Sequence, residues 1–153
     1  GACGLWQFMN VTARYYNLKN NFWVDERRSL FKSTEKAAKH LKDLYRYYKN
    51  WELDLAAYNS GMGSVNYAIK KAGSRDYWKL CELGVLKRET REYVPRFIAA
   101  SIIGMDPAKY GFEFDQNRHF PDFKVLKINK PVDLTIFAKK TGVTLKSLQF
   151  PIP

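Results

Sequence analysis

The stretch LAAYNSGMG, residues 55–63, places small apolar residues, a polar pair and two glycines within nine positions. The helical pattern of residues 51–58 is expected to stop at the Gly61 and Gly63 pair. Tyr58 and Asn59 then lie at a helix end, where a phenol and an amide can offer directional hydrogen bonds to a neutral ligand. The alternative is that Tyr58 packs in the core and Asn59 caps the helix.

Helical patterns continue on both sides of this stretch. Residues 33–48 place apolar side chains at three- and four-residue steps, which predicts an amphipathic helix capped by Ser33 or Thr34. Ser64 is predicted to cap the next short helix, which ends at Gly73. Since no alternating strand pattern occurs before residue 120, the sequence predicts a mainly α fold.

Residues 87–104 carry charge first and hydrophobicity second. Pro95 lacks an amide hydrogen and must start, kink or end a helix, so we expect a polar segment that leads into a buried helix. If the segment RETREY, residues 88–93, is helical, Glu89 and Tyr93 share one face. The alternative is a solvated charged turn with local ion pairs.

The last forty residues differ in pattern from the rest. Residues 113–122 lack helical periodicity and are interpreted as a connecting loop, and KVLKI, residues 124–128, can form a strand. Asp133 can cap a helix through Lys140 that Gly142 ends, and Thr144 can cap another turn. Residues 123–153 are therefore predicted to form a small mixed α/β extension that buries little surface on its own.

The opening stretch, GACGLWQFM at residues 1–9, contains no charged side chain. Gln7 sits between Trp6 and Phe8 and is expected to be buried or to line a cleft, although its partners could simply be backbone groups. Either the stretch is a hydrophobic segment that docks onto a core, or the sequence starts in the middle of a domain.

Composition restricts the partners rather than the fold. The 26 basic and 15 acidic residues give a net charge of +11, which favours nucleic acid, anionic lipid or bacterial cell-wall polymer. The cysteines and histidines show no metal-ligand spacing, so no metal site is predicted. Two buried thiols at Cys3 and Cys81 are favoured over a disulfide, which stays open.

An ordered set of motifs carries a resemblance to a known family. GLWQFM, then VDERR at residues 24–28, then LAAYNSG, then ETREYVPRF resemble the catalytic domain of lytic transglycosylases, especially the subgroup that carries lysin motifs. The resemblance covers residues 1–112. It implies a lysozyme-like, mainly helical domain that acts on peptidoglycan.

The same resemblance implies that the catalytic acid lies ahead of the opening stretch. In the family a helix with a Glu-Ser pair precedes the segment that resembles GACGLWQFM, and no residue of this chain matches that glutamate. We therefore expect a truncated domain whose catalytic glutamate lies upstream of Gly1. The implied chemistry forms a 1,6-anhydromuramoyl product and needs no cofactor and no metal.

By position, the resemblance assigns substrate binding to five residues: Gln7, Tyr58, Asn59, Glu89 and Tyr93. Glu89 is not expected to be the missing acid, because the positive charges beside it favour its ionised form. Of Trp6 and Phe8, at least one is expected to pack in the core rather than against a sugar. The sequence departs from the family at Ser29-Leu30, where Asp-Pro is common, and at Cys3, where a small aliphatic residue is usual.

The expected partners are peptidoglycan glycan strands in the bacterial cell envelope, with no nucleic acid. Peripheral membrane association would run through the missing N-terminal segment. The alternative is a basic binding module without catalysis, which would bind peptidoglycan or nucleic acid through charge and aromatic stacking. Residues 132–148 resemble the first part of a lysin motif.

Overall fold

Helices supply the regular secondary structure of the residues that the computed structural model describes, namely 1–113, 126 and 128–149. Within those residues there is no strand, and two isolated bridges pair Cys3 with Phe8 and Asn20 with Asp25. The α-helices are α1 (Asn10–Tyr15), α2 (Leu30–Tyr48), α3 (Trp51–Ser60), α4 (Met62–Ala72), α5 (Tyr77–Glu82), α6 (Arg88–Met105), α7 (Leu134–Thr141) and α8 (Leu145–Gln149). The expectation of a mainly α fold is confirmed. None of these helices is both long enough and apolar enough to cross a bilayer.

The described residues fall into two compact units, one within Gly1–Ala37 and Asn117–Pro153, the other within Ala38–Gln116. The core of the first unit consists of Phe8, Ala13, Tyr16, Leu18 and Ala37, with Trp6 packed against it. The opening stretch is thus only partly core, because Leu5 and Met9 are exposed. The division into a domain of residues 1–112, a loop of residues 113–122 and an extension of residues 123–153 stays a prediction.

Helix α3 lies in the core of the second unit. Its residues 53–57 are all buried, and both α4 and α6 contact it. A helix that is buried on every face needs apolar or small residues all round, which the sequence LDLAA supplies except at Asp54. The rest of this core is formed by Leu44, Tyr48, Val65, Ala68, Tyr77, Leu80, Leu86 and Val94. Tyr58 and Asn59 follow the buried residues directly and are half-buried.

Two predicted helix starts are wrong. Helix α2 begins at Leu30, because the Ser29 hydroxyl accepts a hydrogen bond from the Lys32 amide at 3.2 Å. Ser33 lies inside that helix and is buried. Helix α4 begins directly after Gly61, so Ser64 lies within it rather than capping it. The predicted helix ends, before Gly61 for α3 and at Gly73 for α4, are confirmed.

Replacing Asn50 with alanine should lower the free energy of unfolding by about 1 kcal/mol. The Asn50 side-chain oxygen accepts a hydrogen bond from the Leu53 amide at 2.8 Å, which satisfies one of the free amides in the first turn of α3. Urea unfolding followed by circular dichroism measures the loss. Asn50→Asp keeps the acceptor and is the matched control; equal losses in both variants would contradict the capping role.

Pro95 lies inside α6, which continues unbroken from Arg88 to Met105. Proline cannot donate to the carbonyl of Arg91, four residues earlier. The Tyr77 hydroxyl of α5 lies 3.1 Å from that carbonyl and 3.2 Å from the carbonyl of Thr90, so it replaces the missing donor. The expectation of a buried second half is wrong, since Phe97, Ile102 and Met105 are 39%, 45% and 79% exposed.

The two predicted helices of the C-terminal region are confirmed. The Asp133 carboxylate accepts hydrogen bonds from the amides of Thr135 and Ile136, and Gly142 ends α7 with φ +73°. The Thr144 hydroxyl accepts from the Ser147 amide at 3.0 Å in the first turn of α8. The predicted strand at 124–128 and the loop at 113–122 fall largely outside the described residues.

Candidate functional site

Gln7 lies in a tight turn of the first unit. Cys3 and Phe8 exchange backbone hydrogen bonds at 3.2 and 3.1 Å and bring the residues between them together. Gln7 has φ +51°, which is uncommon for a residue with a side chain, and its Nε2 donates to the Gly4 carbonyl at 2.7 Å. The Gln7 side chain is exposed, so the expectation of a buried amide is wrong. Its assignment to a ligand cleft stays a prediction.

Arg27, from the VDERR motif, holds this turn in place. Its guanidinium is buried and donates to both carboxylate oxygens of Asp25, at 2.8 and 2.6 Å. It also donates to the carbonyl oxygens of Gly1 at 2.9 Å and Phe8 at 3.1 Å. The hydrogen bonds from Arg27 to the Asp25 carboxylate lower the pKa of Asp25 to about 2. The VDERR motif therefore holds the turn that carries Gln7 through hydrogen bonds to backbone carbonyls at both ends of the opening stretch.

Asn59 connects the end of α3 to the first turn of α6. Its Nδ2 donates to the Glu89 carboxylate at 3.3 Å, and its Oδ1 accepts from the buried Thr90 hydroxyl at 2.9 Å. The amide is thus oriented by two partners from another helix rather than by capping α3. Glu89 itself is exposed. The arrangement presents a fixed amide beside an accessible carboxylate, which suits directional hydrogen bonds to a polar ligand.

Tyr58 and Tyr93 are half-buried phenols of the same unit. Burial raises the pKa of Tyr58 to about 12, and the neighbouring Tyr93 adds to the shift. Burial and the nearby negative charge of Asp54 raise the pKa of Tyr93. Both phenols are therefore protonated at physiological pH and keep hydroxyl donors. The His40 ring packs against Tyr58 with 5.3 Å between centroids, and burial lowers the pKa of His40.

Asp54 is the residue of this region that the sequence patterns missed. It is fully buried, and neither carboxylate oxygen has a hydrogen-bond partner among the residues that the structure describes. Burial raises its pKa to about 7. A signal was present in the sequence: Asp54 is the one charged residue in the buried run LDLAA, where the periodicity asks for an apolar side chain.

The second unit brings four of the five predicted site residues together. Asn59 bonds to Glu89, Tyr58 precedes Asn59, and Tyr93 acts electrostatically on Tyr58. Glu89 and Tyr93 lie four residues apart in α6, so RETREY takes the helical alternative rather than that of a charged turn. Gln7 belongs to the first unit, and its convergence with the other four stays a prediction.

Two arginines of α6 pair with Glu92 rather than with Glu89. Arg88 and Arg96 pair with Glu92 at 2.7 and 2.8 Å, and the pairing with Arg88 lowers the pKa of Glu92.

Among the described residues no group of three histidine, cysteine or acidic side chains could hold a metal ion. Both cysteines are free, so the disulfide alternative is excluded. Their side chains are half-buried, whereas the sequence had led us to expect buried thiols.

Comparison with known proteins shows which family the chain resembles. Residues 1–81 match the family profile of the transglycosylase SLT domain. The chain is also similar to the membrane-bound lytic murein transglycosylase D of Escherichia coli strain K12, with 32% identity over 97% of this chain and 33% of that protein. The protein of the same name from strain CFT073 gives the same values. The chain thus spans about a third of the length of the curated relatives it matches.

Proposed function

The chain belongs to the transglycosylase SLT domain family, and from this premise we propose that it supplies the glycan-binding part of a peptidoglycan lytic transglycosylase. The enzyme cleaves the β-1,4 bond between N-acetylmuramic acid and N-acetylglucosamine and forms a 1,6-anhydromuramoyl product. The observation that carries the proposal is the Asn59 amide, held between Glu89 and Thr90 in a chain of this family.

The proposed ligand suits the side chains of the second unit. Acetamido groups and sugar hydroxyls need neutral donors and acceptors at fixed positions. Tyr58 and Tyr93 offer phenol hydroxyls, Asn59 offers an oriented amide, and Glu89 offers an exposed acceptor. Gln7, in the first unit, is also proposed to bind the glycan.

The proposed chemistry uses one glutamate, which the family resemblance puts ahead of the stretch GACGLWQFM. In its protonated form this group donates to the glycosidic oxygen, and the bond from that oxygen to the anomeric carbon breaks. As a carboxylate it then removes the proton of the muramoyl 6-hydroxyl, whose oxygen bonds to the anomeric carbon. The ring closure consumes no water. Glu89 is proposed to serve binding, because its exposed carboxylate accepts a hydrogen bond from the Asn59 amide and lies within reach of a ligand.

Turnover of purified sacculi, with products identified by mass spectrometry, tests the proposal. We expect anhydromuramoyl products from a form that includes the residues encoded ahead of Gly1. Replacing the glutamate of the Glu-Ser pair by glutamine should reduce turnover by about 10²–10⁴-fold or more. Asn59→Ala in the same form should weaken binding of the glycan about tenfold. The variant loses the oriented amide, and the Glu89 carboxylate loses the hydrogen bond from that amide. Glu82→Gln, an exposed change on α5, is the matched control and should have no effect.

Two outcomes would change the proposal. Anhydro products from residues 1–153 alone would mean that a carboxyl within the chain, such as Glu52, Glu89 or Glu92, does the chemistry. Products with a reducing-end muramic acid would mean hydrolysis instead of ring closure, even if the glycan-binding assignments stand.

A basic binding module is the competing function, and the net charge of +11 favours it. Binding of nucleic acid should weaken steeply as salt rises, whereas recognition of neutral sugars should not. Titrating the chain with single-stranded DNA and with chitotetraose at two salt concentrations separates the two classes. For the transglycosylase we propose a location in the bacterial envelope, with membrane association through a segment ahead of Gly1.

A further inference from the structure

Asp54 is a buried carboxyl group. Its side chain is 0% exposed, and within the described part of the chain neither oxygen receives a hydrogen bond. A buried polar group in this condition costs free energy, and a buried charge costs more. Since Asp54 stabilises nothing that the described residues show, its presence within the apolar run LDLAA calls for another role.

The position of Asp54 relates it to the proposed glycan-binding side chains. It lies one helical turn before Tyr58 on α3, so the two side chains share a face of that helix. From α6, which contacts α3, the Tyr93 phenol is close enough to respond to the charge of Asp54. Asp54 therefore lies on the face of α3 that carries Tyr58, and both Tyr58 and Tyr93 pack against the core to which α3 and α6 contribute.

The other titratable groups of the surrounding elements are engaged elsewhere or exposed. On α4, Tyr67, Lys70 and Lys71 are exposed. On α5, the buried Tyr77 hydroxyl bonds to carbonyls of α6. On α2, His40 packs against Tyr58 and has Asp43 as its charged neighbour. On α3 itself, Glu52 lies on a different face. Tyr93 is thus a half-buried hydroxyl donor on the neighbouring helix, and its pKa responds to the charge of Asp54.

We propose that Asp54 is a positioning residue which, when ionised, turns the Tyr93 hydroxyl toward itself and away from the bound glycan. The inference rests on the proposed function for its ligand. A neutral Asp54 carries its own hydroxyl hydrogen and leaves Tyr93 free to donate to an acetamido oxygen or a sugar hydroxyl. An ionised Asp54 has only acceptors, and the nearest donor reduces the cost of the buried charge. Glycan binding is therefore tighter below neutral pH than above it.

The free chain provides a first test that needs no ligand. With tyrosines labelled by ¹³C at Cζ, and Tyr93 assigned through Tyr93→Phe, the Tyr93 signal should show a step with its midpoint near pH 7. Asp54→Asn should remove the step, and so should Asp54→Ala if the asparagine variant folds poorly by circular dichroism. His40→Gln should keep it. A wild-type signal without a step, or a step that survives in the folded Asp54 variants, overturns the inference.

Calorimetric titration with chitotetraose at pH 5.5 and pH 8.5 gives the second readout. Wild type should bind about three- to tenfold more tightly at the lower pH, the equivalent of one hydrogen bond, and Asp54→Asn should bind equally at both. Binding without any pH dependence in a chain that lacks the Tyr93 step overturns the inference and leaves the proposed function intact. A Tyr93 step without binding at either pH supports the coupling and contradicts the proposed function.

Discussion

Replacing Gly4 with alanine should destabilise the first unit by about 3–5 kcal/mol, because the new methyl group meets backbone that cannot move. A Cβ at Gly4 would lie 1.8 Å from the Arg27 carbonyl oxygen and 2.7 Å from its carbon. Gly4 also has φ +77°, a conformation that costs an L side chain energy. Urea unfolding followed by tryptophan fluorescence, in which Trp6 and Trp23 report on this unit, measures the loss.

The Arg27 backbone cannot move away from the new methyl group without breaking hydrogen bonds of its own side chain. Its guanidinium bonds to Asp25, to the Gly1 carbonyl and to the Phe8 carbonyl, so shifting it breaks several hydrogen bonds at once. Gly104→Ala is the matched control, since Gly104 is helical and a Cβ there meets nothing within 4 Å. That change should stabilise the protein by up to about 1 kcal/mol. A Gly4→Ala protein as stable as wild type would mean that the turn and the VDERR segment separate freely.

The helices and most of their ends follow from local chemistry. Asp133 and Thr144 cap α7 and α8 as their sequence positions predict, because a cap needs only a side-chain oxygen and the next three amides. The predicted start of α2 is wrong because, in the sequence alone, Ser29 and Ser33 are equally good helix caps. Burial of Ser33 in the folded chain decides between them.

Features that depend on distant residues could not be predicted from local patterns. An unbroken α6 through Pro95 requires the Tyr77 hydroxyl from another helix. The Asn59 amide is oriented by Thr90, thirty-one residues later, although its own segment favours a capping role. All five candidate site residues were assigned to substrate binding through family motifs rather than through periodicity. Asp54 belongs to no motif, and its lack of a hydrogen-bond partner among the described residues is visible only in the folded chain.

The stability of the second unit should fall as pH rises from about 4 to about 7, and Asp54→Asn should abolish this dependence. Burial raises the folded-state pKa of Asp54 to about 7 from its ordinary value of 3.8. Between these values the folded chain binds a proton that the unfolded chain has released. The contribution is therefore fully present below the unfolded pKa and is lost as pH rises through the folded one.

The difference in free energy of unfolding between wild type and Asp54→Asn should change by about 2–4 kcal/mol between pH 4 and pH 8, in favour of the variant at the higher pH. Urea unfolding at each pH, followed by far-ultraviolet circular dichroism, measures it. Asp25 does not interfere, because a pKa lowered to about 2 affects stability only as pH falls below about 4. The exposed Asp106→Asn is the matched control and should keep the wild-type slope. Parallel curves for wild type and Asp54→Asn would mean that burial does not oppose the ionisation of Asp54 in the folded chain.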